Sequence, residues 1–240
     1  MRNLKNSVAS VIGFALLAIA GAAQAGELKL STVRIDLNDR QSNVALMVTN
    51  VGTTPSLVQF RAMNWRQAEQ RDTLTPTREL MANPPIAEIA PGAQQLVRVG
   101  YNGKLQAQDE RSYRLLIEEV PKKDRERVQA IETYLRISIP VFVAGLDTAS
   151  RKLTPSIGTG ENGAPVLVLR NAGNNHVRLT GYSLSDIAGA AGSGHKGLYY
   201  VLPGATMSLP IADAGVKPDR LARVDLATDA GTLQLPLAAR

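Results

Sequence analysis

VQAIETYLRISIPVFVAG, residues 128–145, is the stretch on which the reading of the chain turns. Ile131, Thr133, Leu135, Ile137, Ile139, Val141 and Val143 occupy one phase, while Glu132, Tyr134, Arg136 and Ser138 fill the other. Side chains of a strand leave alternate faces, so the pattern predicts a single strand with one apolar face. Its length exceeds the roughly 5 to 6 residues of an ordinary strand. An arginine is set into its middle, and both features call for a reason.

Upstream, NVALMVTN (43–50), SLVQFRAMNW (56–65), QQLVRVGY (94–101) and SYRLLIEEV (112–120) carry strand character, as do LKLSTVRIDL (28–37) and a short piece around 85–90. Asn50-Val51-Gly52, Ala90-Pro91-Gly92 and Tyr101-Asn102-Gly103-Lys104 supply turns between them. Pro84-Pro85 places its strand at an edge or a sheet switch, because proline cannot donate to a ladder. Seven short strands in about 115 residues predict an immunoglobulin-like sandwich. After Gly145 the texture changes: residues 145–165 are rich in Gly, Thr, Pro and Ser, with only weak strand candidates. VLVLRNAG, NHVRLTGYSLSD, YYVLPG, ATMSLPI, RLARVDLATD and GTLQLPL then predict a second all-β unit, with Asp229-Ala230-Gly231 as a hairpin. The expected fold is all-β, two immunoglobulin-like sandwiches over 26–146 and 147–240, held at a fixed angle across a cleft by a very short linker.

The start of the chain, residues 1–25, reads as a secretory signal peptide. Arg2 and Lys5 precede an apolar run from Val8 to Ala20, and Ala23-Gln24-Ala25 forms an A-x-A cleavage site. The run is shorter than the ~20 residues of a membrane span, so no stable membrane insertion is expected. Its removal lowers the formal charge from +6 to +4, since it carries Arg2 and Lys5 and no acid. The remaining positive charge is dispersed and aromatics are few, which disfavours nucleic acid as a partner. With no cysteine, neither a disulfide framework nor a thiolate metal site is available, and the fold must rest on buried cores.

Catalytic chemistry finds no support. His176 and His195 lack metal-ligand spacing and a nearby acidic cluster, and read as surface or turn residues. No nucleophile elbow occurs, and GAAGSGHKG (189–197) lacks the lysine and hydroxyl spacing of a phosphate loop, so it reads as a hairpin loop. Glu118 and Glu119 are adjacent on a strand and leave opposite faces. No enzyme, no cofactor and no metal are expected.

NPPIAEIAPGAQQLVRV, DERSYRLLIEEVP and YLRISIPVFV follow one another in an order that resembles the periplasmic pilus chaperones of the chaperone/usher pathway. NVALMVTNVGTTPSLVQFRAMNW is similar to the family's second and third strands, so the likeness covers residues 27–145. VLVLRNAGNNHVRLTGYSLSD with LPGATMSLP is similar to the second domain of a divergent branch, which points to archaic or spore-coat-like pili. The resemblance implies a chaperone that lends its seventh strand to a pilin subunit with an incomplete immunoglobulin fold and delivers it to an outer-membrane usher. The candidates for that donor strand are Val128, Ala130, Ile131, Thr133, Leu135 and Ile137. Ile137, Ile139, Val141 and Val143 equally fit the inner face of the chaperone's own sandwich. The family holds the subunit's terminal carboxylate with two basic residues. Arg34 matches the first, whereas for the second Arg136 is the nearest basic residue and Ser138 the better aligned position. Arg98, Arg114 and Glu118 fall in motifs that imply an ionic network at the domain interface. The resemblance also implies a periplasmic location. An exposed donor strand would favour a self-capping dimer. The competing reading is a secreted two-domain structural pilus component or adhesin.

Overall fold

A computed structural model describes residues 28–68, 71–103, 107–121, 134–186, 188–189, 194–211 and 220–237. The predicted strand 28–37 is broken into β1 (Leu28–Leu30) and β2 (Ile35–Leu37). The two halves join different sheets. β1 runs antiparallel to β3 (Asn43–Asn50), which continues through β8 (Gln94–Tyr101) to β6 (Leu80–Asn83). β2 lies parallel to β10 (Arg136–Val143), followed in order by β9 (Arg111–Glu119), β4 (Ser56–Ala68) and β5 (Arg71–Pro76), with β7 (Ile86–Ile89) also on β4. β5 and β6 were not anticipated from the sequence. β5 is exposed throughout, so it shows no alternation, and its existence rests on pairing with the long β4.

Period-two burial aims Leu46 and Val48, Val97 and Val99, Tyr113, Leu115 and Ile117, and Ile139, Val141 and Val143 into one core. Each fully buried aliphatic side chain contributes ~1.5 to 3 kcal/mol against exposure. Leu135 and Ile137, expected as donor residues, are partly buried against this same core. The other expected donor residues, Val128, Ala130, Ile131 and Thr133, lie outside the described residues.

The second unit pairs a sheet of β11 (Leu153–Thr159), β12 (Pro165–Asn171) and β15 (Thr206–Pro210) with one of β14 (His195–Val201), β13 (Val177–Asp186), β16 (Leu221–Thr228) and β17 (Gly231–Pro236). The weak candidates in 145–165 thus contain a full strand, β11, whose Leu153 and Ile157 pack on the second core. The hairpin expected at Asp229-Ala230-Gly231 joins β16 to β17, with Gly231 at φ +115°, a region that favours glycine.

Both units use one device at one corner. Asn50 is fully buried; its amide donates to the carbonyls of Thr54 and Ile89, and its side-chain oxygen accepts from Gly52 N–H. Asn171, also fully buried, donates to Asn175 and Val201 and accepts from Gly173 N–H. Each side chain satisfies backbone groups that would otherwise be buried unpaired, at ~1 to 3 kcal/mol apiece. Asn171→Ala is therefore expected to cost about 3 kcal/mol. In hydrogen exchange the loss should appear first at the 171–175 turn and in β14; protection unchanged there would contradict it.

Candidate functional site

On β9 and β10 the core takes odd-numbered residues, so Ser112, Arg114, Leu116 and Glu118, with Arg136, Ser138, Pro140 and Phe142, share the outer face. Arg34 precedes β2 in the phase opposite Ile35 and Leu37, which places it on that face as well. Thr32 Oγ1 donates to the Arg34 carbonyl at 2.7 Å and accepts its N–H at 3.3 Å, so a local turn sets the arginine at the strand entrance.

The Arg34 guanidinium donates to Asp36 Oδ1 through Nε (3.0 Å) and Nη2 (2.8 Å). Its Nη1 reaches Asp229 Oδ2 of the second unit at 3.3 Å. Its Cζ stands 5.4 Å from the centre of the Phe142 ring. Burial works against its charge, but the hydrogen bond and charge of Asp36 outweigh it and hold the guanidinium above its ordinary pKa.

Arg114 is directly opposite Pro140 in the β9–β10 register, and Ile35 is opposite Val141. Arg34, Pro140 and Arg114 therefore lie across three neighbouring strands, which separates the two arginine backbones by about 10 Å at ~4.8 Å per strand. The Arg114 guanidinium sits 3.7 Å over the Trp65 ring and 5.6 Å from that of Tyr200. Desolvation lowers its pKa, offset only in part by the charges of Asp72 and Tyr200. Among the described residues no carboxylate forms an ion pair with it. A desolvated cation without a hydrogen-bonded anion is costly unless a ligand supplies one.

Arg136 stands elsewhere. It lies four residues before Pro140, ~13 Å along the strand, and its Nε is 2.5 Å from Glu118 Oε1. Glu118 Oε2 accepts from Arg61 Nε at 2.6 Å. The hydrogen bond from Arg61 and the nearby charges of Arg61 and Arg136 hold the Glu118 carboxyl below its usual range. Arg34 and Arg136 thus stand apart along the face, each beside carboxylates of its own. The network expected from Arg98, Arg114 and Glu118 is likewise distributed over three places. Arg98 is exposed on β8, in the other sheet, because Val97 and Val99 take the inward positions.

Other residues join the units. His176, expected at the surface, is 2% exposed. Its Nδ1 is 2.7 and 2.9 Å from the two carboxylate oxygens of Glu110, and its ring stacks on Phe142 at 3.6 Å between centres and 8° between planes. Its backbone N–H also donates to Glu110, as does Asn175 Nδ2. Gln67 donates to the Tyr200 carbonyl and accepts from Leu202 N–H. Trp65, Phe142, Tyr200, Leu202 and Ala205 form a small separate core between the units. Arg71 and Glu161 pair across the same boundary. The sequence signal for His176 was its place one residue before the alternating β13, at a corner rather than on a solvated loop.

The face gathers cations and aromatic rings along a strand, and no group of metal-ligating side chains occurs among the described residues. Over residues 27–145 the chain belongs to the family described as pili and flagellar-assembly chaperone, PapD N-terminal domain. Among curated protein sequences none matches. A chain of the CsuC–CsuE chaperone–tip adhesion subunit complex, from archaic Csu pili of Acinetobacter baumannii, shares 20% identity, with TM-score 0.67 over 90% of this chain and 100% of that one. The YadV chaperone shares 16%, with TM-score 0.63 over 88% and 100%. A chain of the Salmonella enterica SafA pilin–SafB chaperone complex shares 18%, with TM-score 0.61 over 90% and 99%. The 88% to 90% of the chain that these matches cover shares their fold.

Because the folded Glu118 carboxyl titrates below an unfolded one (~4.3), it contributes stability that is present above that value and lost as pH falls through the lower folded one. Glu118→Gln should flatten this part of the acid unfolding profile followed by circular dichroism. An unaltered acid limb would show that the two arginines do not act on it.

Proposed function

We propose that this chain is a periplasmic chaperone that captures pilin subunits by adding its β10 strand, with the residues that precede it, to a subunit's incomplete sandwich, and then passes them to an outer-membrane usher. The observation that carries this reading is the edge of β10. β9 pairs with β10 from Arg136 to Val143, but β2 covers only Val141 to Val143. From Arg136 to Pro140 the other edge has no strand partner among the described residues. Such an edge is a template for a strand from another chain, in which main-chain hydrogen bonds supply affinity and alternate side chains supply specificity.

Arg34 holds the subunit's terminal carboxylate. The second cation is Arg114 rather than Arg136: it lies across Pro140 from Arg34, is desolvated, and lacks an anion, whereas Arg136 is already engaged by Glu118. Two charge-assisted contacts to one carboxylate are far stronger than one. Ile131 and Thr133, or Val128 and Ala130 if the strand enters in the other phase, are the side chains that fill the subunit's groove, while Leu135 and Ile137 anchor the lent strand to the chaperone's own core.

Co-production with the cognate pilin, followed by purification on a tag carried by this chain, tests the reading. Arg34→Ala and Arg114→Gln should each lower recovered complex at least tenfold with the far-ultraviolet dichroism unchanged, while Arg136→Ala retains it. Recovery lost only in Arg136→Ala would move the anchor up the strand. No complex with the unaltered chain would overturn the function.

A further inference from the structure

Arg34 already faces two carboxylates, and they hold it unequally. Asp36 engages one edge of the guanidinium twice, through Nε at 3.0 Å and Nη2 at 2.8 Å. Asp229, from the second unit, engages Nη1 once, at 3.3 Å. Charge-assisted bonds of this kind close to about 2.7–2.9 Å, so the Asp229 contact is the loose one. The three side chains are reached by water, with Arg34 at 28%, Asp36 at 57% and Asp229 at 35% exposure.

Their places in the fold differ as well. Asp36 lies on β2 opposite Phe142 of β10, in the same phase as Arg34, so one strand carries both members of that pair. Asp229 comes from the turn that joins β16 to β17. Thr228 closes this turn: its Oγ1 donates to the Gly231 carbonyl at 2.7 Å and accepts the Ala230 N–H at 3.1 Å. The Asp229 carboxylate is therefore not spent on the turn, and it reaches instead an arginine 195 positions away.

A subunit's terminal carboxylate would bring a third negative group to this one cation. Ionised carboxylates only accept hydrogen bonds, so they cannot bond one another and they repel at close range. One must give way, and a single long contact is surrendered more readily than the doubly bonded Asp36. We propose that Asp229 is an internal stand-in for the subunit's terminal carboxylate, occupying Nη1 of Arg34 in the free chaperone and displaced from it on capture. This rests on the reading of Arg34 as the carboxylate anchor. Because one carboxylate is exchanged for another at the same cation, part of the charge gain of capture is cancelled. The second unit thereby weakens the hold on a subunit, and the same competitor stands beside the anchor when the subunit is passed on.

Competition between two chains tests this. The unaltered chain and Asp229→Asn, carrying different tags, are co-produced with a limiting amount of the cognate pilin, and the pilin recovered on each tag is measured. Asp229→Asn should take about threefold to fivefold more, the scale of one exposed ion pair. Asp229→Ser, a second residue that suits a turn, should show the same gain. Asp36→Asn should show none, because it loosens the fork that orients Arg34. Far-ultraviolet dichroism of each purified chain checks that the fold is kept. An equal division of pilin would overturn the proposal and leave subunit capture standing. So would a smaller share for Asp229→Asn, the result expected if the contact merely joins the units, and so would an equal gain in Asp36→Asn. Pilin on neither chain would overturn subunit capture and the displacement with it.

Discussion

The buried carboxylate of Glu110 is the constraint on which the arrangement of the two units depends. A charge out of water is tolerated only when its oxygens are fully engaged. Here the donors all come from the other unit: His176 Nδ1, the His176 backbone N–H and Asn175 Nδ2. Separating the units would strip the carboxylate of these donors and expose the aromatic cluster beside it to water. The stack of His176 on Phe142 ties this polar contact to β10, so the strand with the open edge is also the strand against which the second unit is seated. The position of Asp229 beside Arg34 follows from that seating.

Trp65 links the features on either side of the interface. One ring face carries Arg114, the ring stands nearly perpendicular to that of Tyr200, and the residue lines a cavity between the units. Packing of this kind determines the charge balance as well as the position of Arg114, because its burial against the rings removes water from the guanidinium and so lowers its pKa.

Alternation made the sandwiches legible in the sequence wherever one face is buried and the other wet, as in β3, β8 and β10. It failed where both faces are alike. β5 is exposed on both sides, and the two halves of 28–37 could not be told apart because nothing in LKLSTVRIDL marks a change of sheet. Arg34 and Arg136 both came from the family resemblance, and no pattern in the sequence set Arg114 beside them. Arg136 and Arg114 are both arginines on outer-face positions, and only the register across β9 and β10 distinguishes the one beside Pro140 from the one beside Glu118. The pairing of His176 with Glu110, sixty-six positions apart, left no local trace.

The corner asparagines provide a landmark by which the two sandwiches can be laid over each other. Asn50 donates to the carbonyl four residues on, at Thr54, and Asn171 does the same at Asn175. The residue after each of these acceptors is Pro55 in one unit and His176 in the other. In the second unit that spot is pressed into the neighbouring sandwich; in the first it is bare to solvent, with Val51 at 60% exposure on the same loop. Because the asparagine closes the corner without help from the residue that follows its acceptor, that next position is released from any duty to the fold. One copy of the design spends this freedom on an imidazole that joins two bodies, and the other presents a plain proline to water.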